Sequence, residues 1–451
     1  MMIKLRGSAS IRKEAMQIPK ELVKKWCLAN EQTMMLKFGT STIPIKTQAS
    51  RILMSNEIII SNIALQKLKV PAECAFQLKK VKNTLIIGPY IGLLVDRKKG
   101  NIPLQDLIHY SQQYGPIGGA ILAFSPENVD TNNKTITGFM FKPLARSWKH
   151  GQFRYPSSIF NKSSAKKPLI DHFNQVLGKN VFNDYRCDKW MMYKLLSQKA
   201  ALREFLPKTA LFEQTRDVMQ MLKHCPVLYL KPINGSGGQH ILKLAAASNK
   251  FIVTYKEARK GYVNKHFAKP QQLVHFLNKQ APRKKYLLQE RIKLISSKGR
   301  LIDFRMIVVK DEIGKWRDMG LLSKYGQKNH IVSNITAGGF AEEGNRTLRK
   351  VLQLGNKEIR SIRNKMQSCA LEIARQLEAS GFHLGNLGID FAIDTNKKLW
   401  IIEVNHNDPN HTIALDAGEH KMFARTIKAN LLYAKKLAGF ARSSRLATKR
   451  R

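Results

Sequence analysis

The sequence predicts an α+β protein with a β-rich N-terminal domain, a small α/β unit and a larger C-terminal α+β domain. Three observations carry that expectation. Short β-rich runs with turn residues between them fill the first 87 residues. A strand, a helical stretch and another strand follow in that order. Beyond residue 181, strands of alternating polarity accompany two clear helical periodicities.

In the first region, residues 34–39, 51–54 and 57–60 read as strands, and 75–78 and 83–87 add two more. In the second, Ile91 to Val95 is a short apolar strand, Leu104 to Tyr114 a helical stretch, and Gly119 to Phe124 a further strand. Residues 148–167, polar and rich in Pro, Ser and Lys, read as a loop toward the next domain. In the third, Ile359, Ile362, Met366, Ala370, Ile373 and Leu377 recur at helical spacing, with Gly381 where the helix should stop. Phe423, Ile427, Leu431 and Leu437 mark a C-terminal helix, followed by a basic tail. The expected division is 1–87, 88–180, 181–440 and a tail of 441–451, and a chain of 451 residues suits about three domains.

The chain carries 77 Lys and Arg against 32 Asp and Glu, a formal net charge of +45, while 43% of it is hydrophobic. Packed cores are therefore expected, and so is a polyanion among its contacts. Five widely spaced cysteines, Cys27, Cys74, Cys187, Cys225 and Cys369, form neither a disulfide framework nor a zinc pattern, which points to a reducing compartment. No secretory leader and no transmembrane run is expected.

The P-loop, the Gly-x-Gly-x-x-Gly turn, the zinc-protease helix and the nucleophile elbow are all absent. Four other features remain. Val227 to Pro232 is a strand ending in Lys231-Pro232, followed by Asn234-Gly235-Ser236-Gly237-Gly238. Glycines there let backbone N–H groups wrap an anion that Lys231 could also reach; an ordinary hairpin turn is the competing reading. Tyr286 to Ile292 is an apolar strand ending in polar residues, whose edge could meet a purine or simply be buried. In Asp303 to Val309, alternation puts Asp303, Arg305 and Ile307 on one face. Arg305 there wants a carboxylate or phosphate, and an Asp303–Arg305 pair is equally open. Last, Gly388 to Asp394 and Leu399 to Asn405 flank a polar turn. A turn centred between Asn396 and Lys397 would set Asp390 opposite Glu403, with Asn405 on the same face. Apposed carboxylates repel unless a cation lies between them, and oxygen-only ligands suit Mg²⁺.

In this order the features resemble the ATP-grasp superfamily. The wording of Asp188-Lys189-Trp190, Leu206-Pro207-Lys208-Thr209, Tyr229-Leu230-Lys231-Pro232, Leu288-Gln289-Glu290 and Gly388-Ile389-Asp390-Phe391 resembles one branch, the YheC/YheD-like family of endospore coat-associated proteins. The resemblance covers roughly residues 88–435. It implies an ATP-grasp fold, two α+β lobes gripping ATP, preceded by a small α/β pre-ATP-grasp unit. Lys189 and Lys231 would contact the ATP phosphates, with Gly235, Ser236, Gly237 and Gly238 folded over them. Gln289, Glu290 and the Ile292 backbone would form the hinge for adenine and ribose. Arg305 would touch the phosphates and, with Lys231, serve catalysis, and Arg300 is a further candidate cation. Asp390, Glu403 and Asn405 would hold Mg²⁺.

The implied reaction is ATP-dependent ligation of an unknown carboxylate to an amine or thiol through an acyl phosphate. An acidic polymer is one candidate substrate, and spore coat components are candidate partners. The implied location is the cytoplasm of the sporulating cell or the spore coat. The alternative is a coat-matrix protein that keeps the fold without turnover. No nucleic-acid-binding signature is present, so sequence-specific binding is not expected. One departure is His240, where the family pattern leads one to expect glycine before Ile241. Gly385-Asn386 and the loop His406 to His411 follow the acidic face and could meet the acceptor, with polar contacts favoured over a histidine metal site.

Overall fold

The structure is a computed structural model, and it describes residues 2–441 apart from 72, 236, 248–249, 258–259, 332, 334 and 336–337. The basic tail from Arg442 onward lies outside the described residues.

The N-terminal strands close into a seven-stranded barrel. Met2–Ser8 pairs in parallel with Glu57–Ser61 and antiparallel with Phe76–Val81, which completes the ring. The period of two is plain in Thr33–Phe38, where Met34, Leu36 and Phe38 point into the core and the residues between them do not. Residues 51–54 are not a strand. They form an exposed turn, with Ile52 94% accessible, and the strand lies just before them at Ser41–Ser50. That strand buries few side chains and contains Pro44, so its apolar signal is weak.

The next sheet has a parallel centre: Ala120–Phe124, Tyr90–Val95, Ser158–Lys162 and Val181–Phe182. Tyr90–Val95 and Ala120–Phe124 are buried throughout, as expected of strands covered on both faces. The stretch 148–167 is not a loop. Ser147–Arg154 forms a hairpin with Thr135–Lys142, and Ser158–Lys162 is a central strand. The hairpin arm is mostly solvated, so its composition is polar although its backbone is fully laddered.

The remaining chain builds two antiparallel sheets. One runs Thr209–Leu211, Tyr286–Glu290, Val227–Pro232, Leu242–Ala247, Lys250–Glu257, Gly261–Phe267. The other runs Phe340–Glu343, Trp316–Tyr325, Arg300–Lys310, Asn386–Ile393, Leu399–Asn405. Helix Asn356–Ala379 packs Ile359, Met366, Ala370, Ile373 and Leu377 against the second sheet, and ends before Gly381 at φ +92°. The C-terminal helix His420–Leu437 is buried on more than one side. Phe423, Ile427 and Leu431 share one core with Ile307 and Val309 of that sheet and with Ile91 and Phe160 of the parallel sheet. Ser158 Oγ donates to the Ala434 carbonyl at 2.8 Å, locking the parallel sheet to this helix.

Candidate functional site

A cleft of about 1130 Å³ is lined by both antiparallel sheets, the start of helix Lys189–Ser197 and the strand ends at Asp96 and Lys162 of the parallel sheet. Every residue named for ATP or Mg²⁺ lines it except Arg300, which turns elsewhere, and Ser236, which lies outside the described residues; of the residues expected to meet the acceptor, His406, Asn407 and Asp408 line it, while Gly385, Asn386, Pro409, Asn410 and His411 do not.

On the first sheet, Lys231 stands near the end of its strand, half-buried. Its Nζ donates to Gln289 Oε1 at 2.6 Å, and Gln289 Nε2 donates to Thr209 Oγ1 at 3.0 Å. Neighbouring strands thus hold the ammonium through a neutral amide. Burial pulls Lys231 down to about 8, with Glu403 opposing and Lys189 adding to the effect. Gln289 therefore positions Lys231. The Glu290 carboxylate is likewise engaged: Oε1 accepts from the Lys208 N–H at 2.7 Å, and Cys225 Sγ lies 3.8 Å from Oε2. Glu290 and Ile292 line the cleft wall, and the Glu290 carboxylate is engaged by the backbone at Lys208.

The turn after Lys231 is open, with positive φ at Gly235, Gly237 and Gly238. His240 also takes φ +56°, which explains why glycine suits that position. The His240 side chain is exposed and does not line the cleft, so it does not narrow the site. Lys189 joins this loop to the second sheet: its Nζ donates to the Gly235 carbonyl at 2.5 Å and pairs with Glu403 Oε1 at 3.2 Å. Asp188 caps the helix, accepting from the Met191 N–H at 2.8 Å, while the Lys189 N–H donates to the Ile233 carbonyl.

On the second sheet the charges are buried. Asp390 lies opposite Glu403, as the hairpin pattern predicts. The turn is one residue tighter than expected, with Ile393 opposite Leu399, and a bulge after Asp390 restores the register. Arg305 sits opposite Asp390 on the other side and binds it with both Nε and a terminal nitrogen, the latter at 2.9 Å. Gly388 permits this approach, since a Cβ there would stand 3.0 Å from the guanidinium. The partner of Arg305 is thus Asp390 rather than Asp303.

Lys324, not singled out from the sequence, bridges Asp303 at 2.9 Å and Asp390 at 3.0 Å. A lysine between Leu322 and Tyr325 in a buried strand was the available signal. Burial works to raise Asp390, but Arg305 and Lys324 outweigh it and hold it down at about 2. Asp303 goes the other way: burial pushes it up to about 6, against Lys324 and with the Asp390 charge. Arg300 does not face this cluster; it donates to the Gly326 and Gly338 carbonyls and tethers that loop.

For a divalent cation, the available donors are oxygens of Asp390, Glu403 and Asn405, whose Nδ2 donates to Asp390 at 3.3 Å. This set fits Mg²⁺. Among the described residues no three His, Cys, Asp or Glu side chains gather as a metal site, so the amide would be the third donor. Each acid is matched by a protein cation, so a metal arriving with an anion that takes over those cations keeps the charge balanced. The two loop histidines are engaged elsewhere. His406 Nε2 accepts from the Cys187 N–H at 3.1 Å, and His411 Nε2 donates to Asn386 Oδ1 at 2.6 Å.

A family model described as YheC/D like ATP-grasp matches residues 178–437, more than half the chain. Endospore coat-associated protein YheD of Bacillus subtilis (strain 168) is 23% identical over 425 residues, covering 89% of this chain and 90% of that protein. Endospore coat-associated protein YheC of the same organism is 19% identical over 320 residues, covering 67% and 85%. Among solved structures, biotin carboxylase from Campylobacter jejuni, in complex with β-γ-ATP, aligns with TM-score 0.48 at 11% identity, covering 79% of this chain and 73% of that one. The chain belongs to the YheC/D-like ATP-grasp family.

Proposed function

From that membership and the arrangement of the cleft, we propose that the protein binds Mg-ATP and ligates a carboxylate to an amine or thiol. The observation that carries this is the convergence of Lys189, Lys231, Arg305 and Lys324 on the oxygen set of Asp390, Glu403 and Asn405 within one cavity. In this reading the cations and the glycine loop bind and orient the triphosphate. Gln289 keeps Lys231 aimed, and Arg305 holds Asp390 ionised. Asp390, Glu403 and Asn405 would hold Mg²⁺, which would supply positive charge to the phosphoryl oxygens. The substrate carboxylate takes the γ-phosphoryl group and ADP leaves. The amine then attacks the acyl carbon, phosphate departs, and an amide forms. No dedicated base is required, because the departing phosphate can take the amine's proton.

The names of the relatives support a place at the endospore coat, where the net charge of +45 would favour anionic surroundings. Among the described residues no helix is long and apolar enough to cross a membrane. Calorimetric titration with a non-hydrolysable ATP analogue and Mg²⁺ tests the reading. The parent should bind saturably, and Lys231→Ala and Asp390→Asn should each weaken binding about tenfold or more while staying folded. Parental affinity in both variants would remove these residues from the site. ADP release across carboxylate and amine candidates separates an active ligase from a coat protein that keeps only the fold.

A further inference from the structure

At one end of the N-terminal barrel, Gly39 lies against Tyr90 and Tyr155 of the next domain. The other end carries the turn 51–56, helix Lys20–Lys25 and the turn at Lys82-Asn83. Register brings these together. Pro19, just before the helix, pairs with Ser50, just before the first turn, and the Lys4 N–H donates to the Asn56 carbonyl at 2.8 Å. Beyond the helix, the Trp26 carbonyl accepts from Lys80 Nζ at 2.7 Å, so this segment crosses the barrel mouth to strand Phe76–Val81.

Two kinds of exposure meet at this end. The turn reads Arg51-Ile52-Leu53-Met54; Ile52 is 94% accessible and Met54 59%, with Leu53 half-buried between them. None of the three apolar residues belongs to the barrel core. Around them stand Lys4, Lys20, Lys24, Lys25, Arg51 and Lys82, all exposed, and among the described residues none of these forms an ion pair. Acids are fewer. Glu21 is exposed on the helix, Glu31 pairs with Arg12 at 3.8 Å, and Glu57 pairs with Arg6 at 3.0 Å.

Unpaired like charges repel one another until an anion arrives. Apolar side chains on a projecting turn suit an anionic surface that needs no matching pocket. A protein partner at an ordinary interface covers about 800 Å² of complementary face, whereas this turn offers three apolar side chains fringed by cations. A bilayer accepts such side chains at its headgroup and acyl boundary, while Lys and Arg meet the lipid phosphates. Each signal alone binds weakly, and the two together hold.

We propose that this end of the barrel docks the protein on an anionic lipid bilayer. Ile52, Leu53 and Met54 enter the boundary beneath the headgroups, and Arg51, Lys20 and Lys82 lie on lipid phosphates. No barrel residue lines the nucleotide cleft, so the docking surface is separate from it.

The full chain is sedimented with vesicles of phosphatidylcholine alone, or of phosphatidylcholine and phosphatidylglycerol in equal parts, at an ionic strength of about 0.15 M. It should bind the anionic vesicles about tenfold or more tighter than the neutral ones. A chain of net charge +45 is drawn to any anionic surface, so variants of matched charge isolate the turn. Ile52→Asp combined with Met54→Asp should lose about tenfold or more in affinity for the anionic vesicles. Leu144→Asp combined with Ile313→Asp makes the same charge change at exposed apolar positions of the other domains, and should stay within about twofold of the parent. Both double variants should keep the parent's circular dichroism. Bromine on the acyl chains should quench the fluorescence of Ile52→Trp beyond that of the parent. Equal losses in the two double variants overturn the proposal. So does a parent that ignores anionic vesicles, a result that leaves the turn to an acidic protein partner.

Discussion

On the first sheet's face of the cleft, Lys231 meets one neutral amide and stays half-buried; on the second sheet's face, Arg305 is buried and held bidentately by Asp390. Lys189, between them, is partly solvated and shares its ammonium between a loop carbonyl and Glu403. Lys231 and Lys189, two of the cations that bind the triphosphate in our reading, are therefore weakly held and can exchange partners. The cluster of Asp303, Arg305, Lys324 and Asp390 is a fixed array of two acids and two cations. Position in the sheet explains the contrast. Arg300–Lys310 is flanked on both sides by long strands and covered by helices, whereas Lys231 stands near its strand's end beside an open turn.

The largest expected effect is on stability. Arg305→Met should destabilise the fold by about 3–5 kcal/mol, because it strands buried carboxylates with Lys324 as their one remaining cation. Lys189→Met, across the cleft, should change stability by less than about 1 kcal/mol, since its pair with Glu403 is partly solvated. Urea denaturation followed by circular dichroism reads both; equal losses would erase the distinction between the faces.

An intermediate effect should appear in pH dependence. Lys231 lies at about 8, below its ordinary value, so part of it is neutral at pH 8–9. Bound polyphosphate favours the charged form, so nucleotide binding should take up a proton there and weaken as pH rises through 8. The sign for folding is the reverse: burying Lys231 opposes folding below about pH 8, and that penalty fades as pH climbs toward the unfolded value. Calorimetry in buffers of different ionisation enthalpy measures the uptake, and Lys231→Met should abolish it.

The smallest effect belongs to His240→Gly. Removing a left-handed residue of ordinary chirality relieves strain, and the added freedom of the unfolded chain offsets part of it. A net stabilisation below about 1 kcal/mol is expected, visible as a small rise in Tm. Nucleotide affinity should be unchanged, since the side chain does not line the cleft.

What could be read from the chain was whatever depends on short-range periodicity. Alternation marked the strand carrying Asp303 and Arg305, a hairpin register set Asp390 against Glu403, and helical spacing found Asn356–Ala379 and His420–Leu437. Sparse apolar signal hid Ser41–Ser50 and Ser147–Arg154, whose side chains are mostly solvated while their backbones are laddered.

The sequence by itself determined the order of the motifs, the apposition of the two acids and the glycine turn after Lys231. Only the tertiary structure decided which cation each acid meets. Arg305 and Asp390 are neighbours because strands distant in the chain pair, and Lys324 joins them from a third strand. It also decided that the run 51–54 stands out as a turn beside helix Lys20–Lys25. Periodicity fixes the face a side chain takes on its own strand. The partner it finds there depends on which strands lie alongside, and the packing of whole sheets sets that.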